Sequence, residues 1–152
     1  MITIFKDYNF ELKEEKVDKS IEQRMNQYLG VVYEVAKELN EKTERRLTLY
    51  HEQLTPSSFD VRIAVKLPKS AEDPTPLNMV LFSIDPYDNL LIFGNRKKAI
   101  SDKDDLKLKL QKVFELKAVK SFIEESNLHS KLYEEAVKNN EEKIGEVTDE
   151  NV

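Results

Sequence analysis

The segment from Met79 to Asn95, MVLFSIDPYDNLLIFGN, constrains the fold of this chain most strongly. Its centre is a turn, because Asp85 and Pro86 occupy the positions they favour in a type I turn and Asn89 tolerates a left-handed exit. The segment therefore predicts a β-hairpin with strands 77–84 and 90–93. Apolar residues stand at odd and even positions alike, so both faces of the hairpin are expected to need cover.

Two further segments, 46–54 and 59–67, alternate between apolar and polar residues as strands do. The sequence TPSS between them predicts a turn, and hence a second antiparallel hairpin. Residues 2–10 alternate loosely and predict one short additional strand. Together these segments predict an antiparallel sheet of four to five strands.

A long helix is predicted from about residue 18 to residue 43, because apolar residues recur there at alternating steps of four and three. The stripe consists of Ile21, Met25, Tyr28, Val32, Val35 and Leu39. Asp18, or Ser20 with Gln23 three residues later, is the candidate N-cap.

The centre of this helix, residues 28–36, contains Glu34 as its only charged residue. A surface helix usually has a polar outer side. A glycine inside a helix, here Gly30, costs about 1 kcal/mol relative to alanine and is best tolerated where another backbone lies close. Two interpretations remain open. The helix is buried on both sides within its own domain, or its outer side, with Val31 and Tyr33, binds a partner.

The C-terminal part of the chain predicts two helices. Ser101 or Asp102 is placed to cap the first, and apolar residues follow at helical spacing. A break near residues 126–127 is expected to separate it from a last helix over 128–138.

The predicted fold class is α+β, with a long N-terminal helix, an antiparallel sheet and two C-terminal helices in a two-layer sandwich. Residues 1–138 form the single domain of this interpretation. Residues 139–152 form an acidic tail that is expected to be disordered. The tail carries one lysine, Lys143, and five acids: Glu141, Glu142, Glu146, Asp149 and Glu150.

Composition argues against several functions. The chain has 152 residues, a formal net charge of −5 and no cysteine. Binding to nucleic acid is not expected on these grounds, because phosphate affinity comes mainly from clustered cations. The absence of cysteine excludes disulfides and thiolate chemistry. No membrane segment and no signal peptide can be read from the sequence, so a cytoplasmic location is expected, in a bacterial or viral setting.

No catalytic or metal signature is present. With three glycines in the whole chain, a glycine-rich phosphate loop is nearly excluded. His51 falls on the apolar side of its strand, where a histidine is most often a core or rim residue, and His129 is expected to be solvated. Neither a cofactor nor a metal is predicted, and the chain is not expected to be an enzyme.

The predicted function is a non-catalytic protein-interaction module, such as an inhibitor, adaptor or accessory factor, encoded by a phage or other mobile element. A homodimer is predicted from the surplus apolar surface of residues 28–36 and 77–93. Apolar anchors and orienting charges are the expected partner-binding residues: Val31, Tyr33, Tyr87, Arg96, Lys97 and Lys98. The alternative is a small-molecule-binding module with a pocket between the long N-terminal helix and the sheet.

Overall fold

The computed structural model of the chain describes residues 4–10, 19–55, 58–66 and 74–150, without the side chains of Leu54 and residues 141–150. It confirms the predicted α+β layout of one N-terminal helix, an antiparallel sheet and two C-terminal helices. The elements in chain order are α1 (Lys19–Lys42), β1 (Leu47–Thr55), β2 (Ser58–Val65), β3 (Thr75–Asp85), β4 (Leu90–Phe93), β5 (Arg96–Ala99), α2 (Lys103–Glu115) and α3 (Lys117–Glu150). The candidate N-cap Asp18 and the centre of the predicted TPSS turn lie outside the described residues.

The five strands form an antiparallel meander in the order β1-β2-β3-β4-β5. The fifth strand is β5, whereas residues 4–10 contain turns and no strand, so the prediction of an N-terminal strand over that segment is wrong. Gly94, with φ +58°, lets the chain reverse after β4. Because β5 is an edge strand, its charged residues remain exposed and show no apolar alternation.

One face of the sheet carries the core, and both α1 and α2 pack on it. His51 on this face of β1 contacts Tyr33 of α1, and Phe82 on the same face of β3 contacts Phe114 of α2. The fully buried side chains of the two helices and the strands belong to a single cluster. These include Tyr28, Val32, Leu47, Val61, Ile63, Phe82, Ile84, Leu91, Leu106, Leu110 and Val113.

A register shift explains why β3 is apolar at odd and even positions. Val61 of β2 pairs with Phe82, whereas the next residue, Arg62, pairs with Val80. Leu81 is therefore an extra residue in β3, and the side-chain alternation reverses across this bulge. Leu81 and Phe82 are both buried. The bulge directs apolar residues from both parities of β3 toward the core, while Val80 and Ile92 still lie on the other face of the hairpin.

The centre of α1 is buried within its own domain. Tyr28 and Val31 are 1% and 2% exposed, and Ala36 is also buried. The prediction that Val31 lies on the surface is therefore wrong, because the sheet and α2 cover a wider arc of α1 than a single stripe. Among the described residues, no atom lies within 4 Å of a Cβ added to Gly30, so no close backbone in that part of the chain accounts for this glycine.

The two C-terminal helices meet at Leu116. Asp102 caps α2, and its side chain accepts a hydrogen bond from the amide of Asp105. Leu116 is extended, and α3 then continues to Glu150 without a break. The predicted break at residues 126–127 is wrong, because the Ser126 hydroxyl bonds the Phe122 carbonyl within a continuous helix. Disorder of residues 139–152 in solution stays a prediction.

Candidate functional site

The β3–β4 turn is fixed both internally and against α1. The Asp85 carboxylate accepts hydrogen bonds from the amides of Tyr87 at 2.9 Å and Asp88 at 3.1 Å. Asn89 has φ 53°, as predicted for the turn exit. From α1, the Arg24 guanidinium donates a hydrogen bond of 2.9 Å to the Pro86 carbonyl. The Tyr28 hydroxyl of α1 donates a second, to the side-chain oxygen of Asn89. The turn therefore presents Tyr87, which is 51% exposed, on a rigid support.

The predicted partner-binding residues do not form one surface. Tyr33, 55% exposed, lies against His51 of β1 with a ring separation of 5.6 Å. Arg96 begins β5, at the opposite edge of the sheet from β1. Tyr87 precedes β4, whereas Arg96 pairs with Phe93 at its far end. The predicted partner-binding residues thus lie at three separate positions on the surface: Tyr33, Tyr87 and the cations of β5. Partner binding at each of them stays a prediction.

A groove between β5 and α2 is lined by two of the predicted partner-binding residues and by four residues for which no partner binding was predicted. This cationic groove has a volume of about 320 Å³. Its lining consists of Phe93, Arg96, Lys98, Lys109, Lys112 and Leu116. Among the described residues that line the groove, four cationic side chains thus surround two apolar ones, and none is a carboxylate.

Strand alternation and helical spacing build the cationic groove. Lys98 pairs with Leu91, whose side chain is in the core, and Lys97 pairs with Ile92 on the other face. Arg96 and Lys98 therefore point toward α2, and Lys97 points away from it. Lys109 and Lys112 are three residues apart on α2, so they share one side of that helix.

The cations of the groove differ in how far they are neutralised. Lys109 forms an ion pair with Asp105, one turn earlier on α2. The hydrogen bond from Lys109, with a second from the Ser101 amide, lowers the pKa of Asp105 below its ordinary value. Within the described part of the chain, Arg96, Lys98 and Lys112 have no ion-pair partner. The groove consequently keeps a net positive field in a chain with net negative charge.

A larger groove, of about 680 Å³, lies between α1 and α2 rather than between α1 and the sheet. Val35, Leu39 and Phe114 contribute apolar surface to it. The ion pair between Glu34 and Lys107, at 3.1 Å, joins the two helices at this groove. Its rim mixes both signs of charge and offers less selectivity for one class of charged ligand than the cationic groove does.

Part of the cationic groove could have been predicted from the spacing of its cations in the sequence. The pair Lys109 and Lys112 shows helical spacing in the sequence, and Arg96 and Lys98 show strand spacing. Phe93 and Leu116 read as ordinary apolar residues at the ends of their elements. Only the packing of α2 beside β5 brings these three groups together.

The chain matches no protein-family model, and no curated protein or solved structure is significantly similar to it. In the described residues, no three side chains capable of binding a metal ion converge. None of the helices in the described part of the chain combines the length and apolarity needed to cross a bilayer. The geometry of the cationic groove is therefore the basis on which a function can be argued.

Proposed function

We propose that this protein is a non-catalytic interaction module whose cationic groove binds an acidic segment of a partner protein. One observation carries the proposal: three cations without ion-pair partners among the described residues, Arg96, Lys98 and Lys112, surround an apolar floor. A cytoplasmic accessory role in a phage or other mobile element is part of the same proposal and rests on the sequence alone.

The chemistry of the groove favours acidic residues that flank an apolar side chain. Phe93 and Leu116 provide the apolar contact, which contributes roughly 25 cal/mol per Å² of surface removed from water. The surrounding amines and guanidinium pair with carboxylates and orient the incoming segment. A nucleic acid fits less well, because tracking a phosphate backbone needs cations over a longer path and the chain as a whole is acidic.

The proposal is tested with a fluorescein-labelled peptide of glutamates around one phenylalanine, against the same peptide made with glutamines. Fluorescence anisotropy should show binding of the glutamate peptide that weakens with added salt. Lys98→Glu should weaken binding by about tenfold or more, because it reverses a charge that lines the groove. Lys97→Glu is the matched control, since it makes the same change on the other face of β5.

Three results would count against this function. The first is absence of binding by the glutamate peptide, at high micromolar concentration, to the protein in its monomeric form. The second is an equal loss in Lys97→Glu and Lys98→Glu, which would indicate general charge attraction without the groove. The third is tighter binding of a single-stranded oligonucleotide, which would assign the groove to nucleic acid.

A further inference from the structure

Helix α3 extends beyond the domain that anchors its first half. It has 34 residues, which gives a length of about 50 Å at the usual rise per residue. Val119 and Ser130 are buried, and the carboxylate of Glu134 accepts a hydrogen bond of 3.3 Å from Arg46, the residue before β1. From Lys131 to Asn140, the described side chains are exposed apart from a half-buried Val137.

Two leucines on α3 remain uncovered. Leu128 and Leu132 are 53% and 52% exposed. They are four residues apart and share one side of the helix. An isolated helix of modest length is only marginally stable in water. A second helix that packs on this leucine pair therefore stabilises both helices.

The acidic end of α3 complements the cationic groove. Residues 139–152 contain five acids and one lysine, whereas the described residues that line the groove include four cations and no acid. The groove includes Leu116, the residue immediately before α3. A straight α3 carries its own acidic residues about 37 to 51 Å away from Leu116 in that groove. While α3 is helical over its whole length, the acidic end can therefore reach the groove of a second copy but not its own.

We propose that two copies of this chain pair through antiparallel α3 helices, with the acidic end of each helix in the cationic groove of the other. This inference rests on the proposed binding of acidic segments by that groove. With the two-fold axis level with Ser130, on the exposed side of α3 that carries the leucines, Leu128 of one copy lies opposite Leu132 of the other. The same alignment brings Ile144 of one copy level with Leu116 of the groove in the other, because both are fourteen residues from Ser130, with Glu142 and Glu146 on either side of that level.

Such a pair is closed, because the same surfaces are used twice and no site is left for a third copy. It also joins two kinds of contact. The leucines supply apolar contact at the centre, and the ion pairs at the two ends fix the antiparallel direction. The proposal therefore predicts a dimer that weakens when salt is added.

The first test measures the mass of the full chain by sedimentation equilibrium at micromolar concentrations. The wild type should be a dimer, and Leu132→Glu should be a monomer, because each copy would then place a buried charge against Leu128 of the other. Tyr87→Glu is the control, since Tyr87 is also exposed but lies in the β3–β4 turn, outside both proposed contacts. A monomeric wild type, or equal effects of the two variants, would overturn the proposal.

The second test uses charge reversal on both sides of the contact. A groove variant carries Lys98→Glu and Lys112→Glu, and a tail variant carries Glu141→Lys and Glu142→Lys. Each variant alone should be largely monomeric, because its substituted side chains meet like charges and the overall attraction between groove and helix end is cancelled. Mixed together they should form a heterodimer, because the reversed groove then meets the reversed end and the native groove meets the native end.

The outcomes separate this inference from the proposed function. If the groove and tail variants remain dimers, the acidic end is not in the groove and the proposal fails. If the wild type is a monomer and still binds the glutamate peptide through Lys98, the proposal fails and the proposed function stands. If it neither pairs nor binds the peptide, both fail.

Discussion

Tyr28 is the residue that ties α1 to the β3–β4 turn. Its side chain is 1% exposed, and its hydroxyl donates a 2.8 Å hydrogen bond to the side-chain oxygen of Asn89. Burial raises the pKa of Tyr28 above its ordinary value, and the charges of Asp102 and Asp105 add to this rise while Arg24 opposes it. The phenol therefore stays protonated and bonded through the neutral range.

Replacing Tyr28 with phenylalanine should lower the free energy of unfolding by about 1 kcal/mol at neutral pH, because one hydrogen bond is lost. The pH dependence has a definite sign. Since the folded pKa lies above the unfolded one, near 10, the contribution of Tyr28 is full below the unfolded pKa and is lost as pH rises through the folded pKa. Wild type should thus lose more stability than Tyr28→Phe above about pH 10.

Urea unfolding across pH measures this effect, with Tyr50→Phe as control because Tyr50 is partly exposed. An alkaline loss of stability in Tyr28→Phe as large as that in wild type would show that the buried phenol is not its source.

His51 tests the non-catalytic interpretation. Its ring packs edge-on against Tyr33 at 5.6 Å and Phe59 at 6.1 Å. His51→Gln should therefore lower the free energy of unfolding by about 0.5–1.5 kcal/mol. It should leave peptide binding unchanged, because β1 and the groove lie at opposite edges of the sheet. Lost function in a folded His51→Gln protein would contradict the non-catalytic interpretation.

At the scale of elements, α1 combines a wide buried arc with one residue of low helix propensity, Gly30. Its buried residues include Tyr28, Val31 and Val32, but Gly30 between them has open space around an added Cβ. The packing of α1 therefore offsets the low helix propensity of Gly30, but no contact among the described residues requires a glycine at this position.

Gly30→Ala should raise the free energy of unfolding by about 0.5–1 kcal/mol, because alanine restricts the unfolded chain and fits the available space. Gly94→Ala is the contrasting variant, since φ +58° at that position strains an L-residue. Chemical denaturation measures both. A destabilised Gly30→Ala protein would show that a contact, such as a bound partner, needs the bare backbone at this position.

At the scale of the whole molecule, α3 divides into an anchored half and a projecting half. Val119 and Ser130 are buried in the first, whereas the described side chains after Lys131 are almost all exposed. The stability of the projecting half is therefore expected to depend on pairing rather than on the domain.

Hydrogen exchange provides the measurement for this expectation. In the monomeric Leu132→Glu variant, amides of residues 139–150 should exchange nearly as fast as in an unfolded chain, while those of α2 remain protected. In the wild-type dimer the same amides should be protected. Equal exchange in both proteins would show that pairing does not stabilise the acidic end.

Local signals in the sequence determined much of the secondary structure. The DPYDN turn, the N-cap at Asp102 and the bounds of β4 follow from residue chemistry that acts over a few positions. The stripe of α1 likewise follows from its period. These features could be predicted because each depends on contacts between near neighbours along the chain.

The tertiary structure decided the features that depend on distant partners. Pairing with β2 set the bulge at Leu81, which turned apolar residues from both parities of β3 toward the core. Packing against the sheet and α2 buried Val31. Arg96 and Lys98 gained Lys109 as a neighbour only because α2 lies beside β5. Sequence alternation specifies which side of an element is apolar, but the partner that covers it is chosen by the packing of the whole chain.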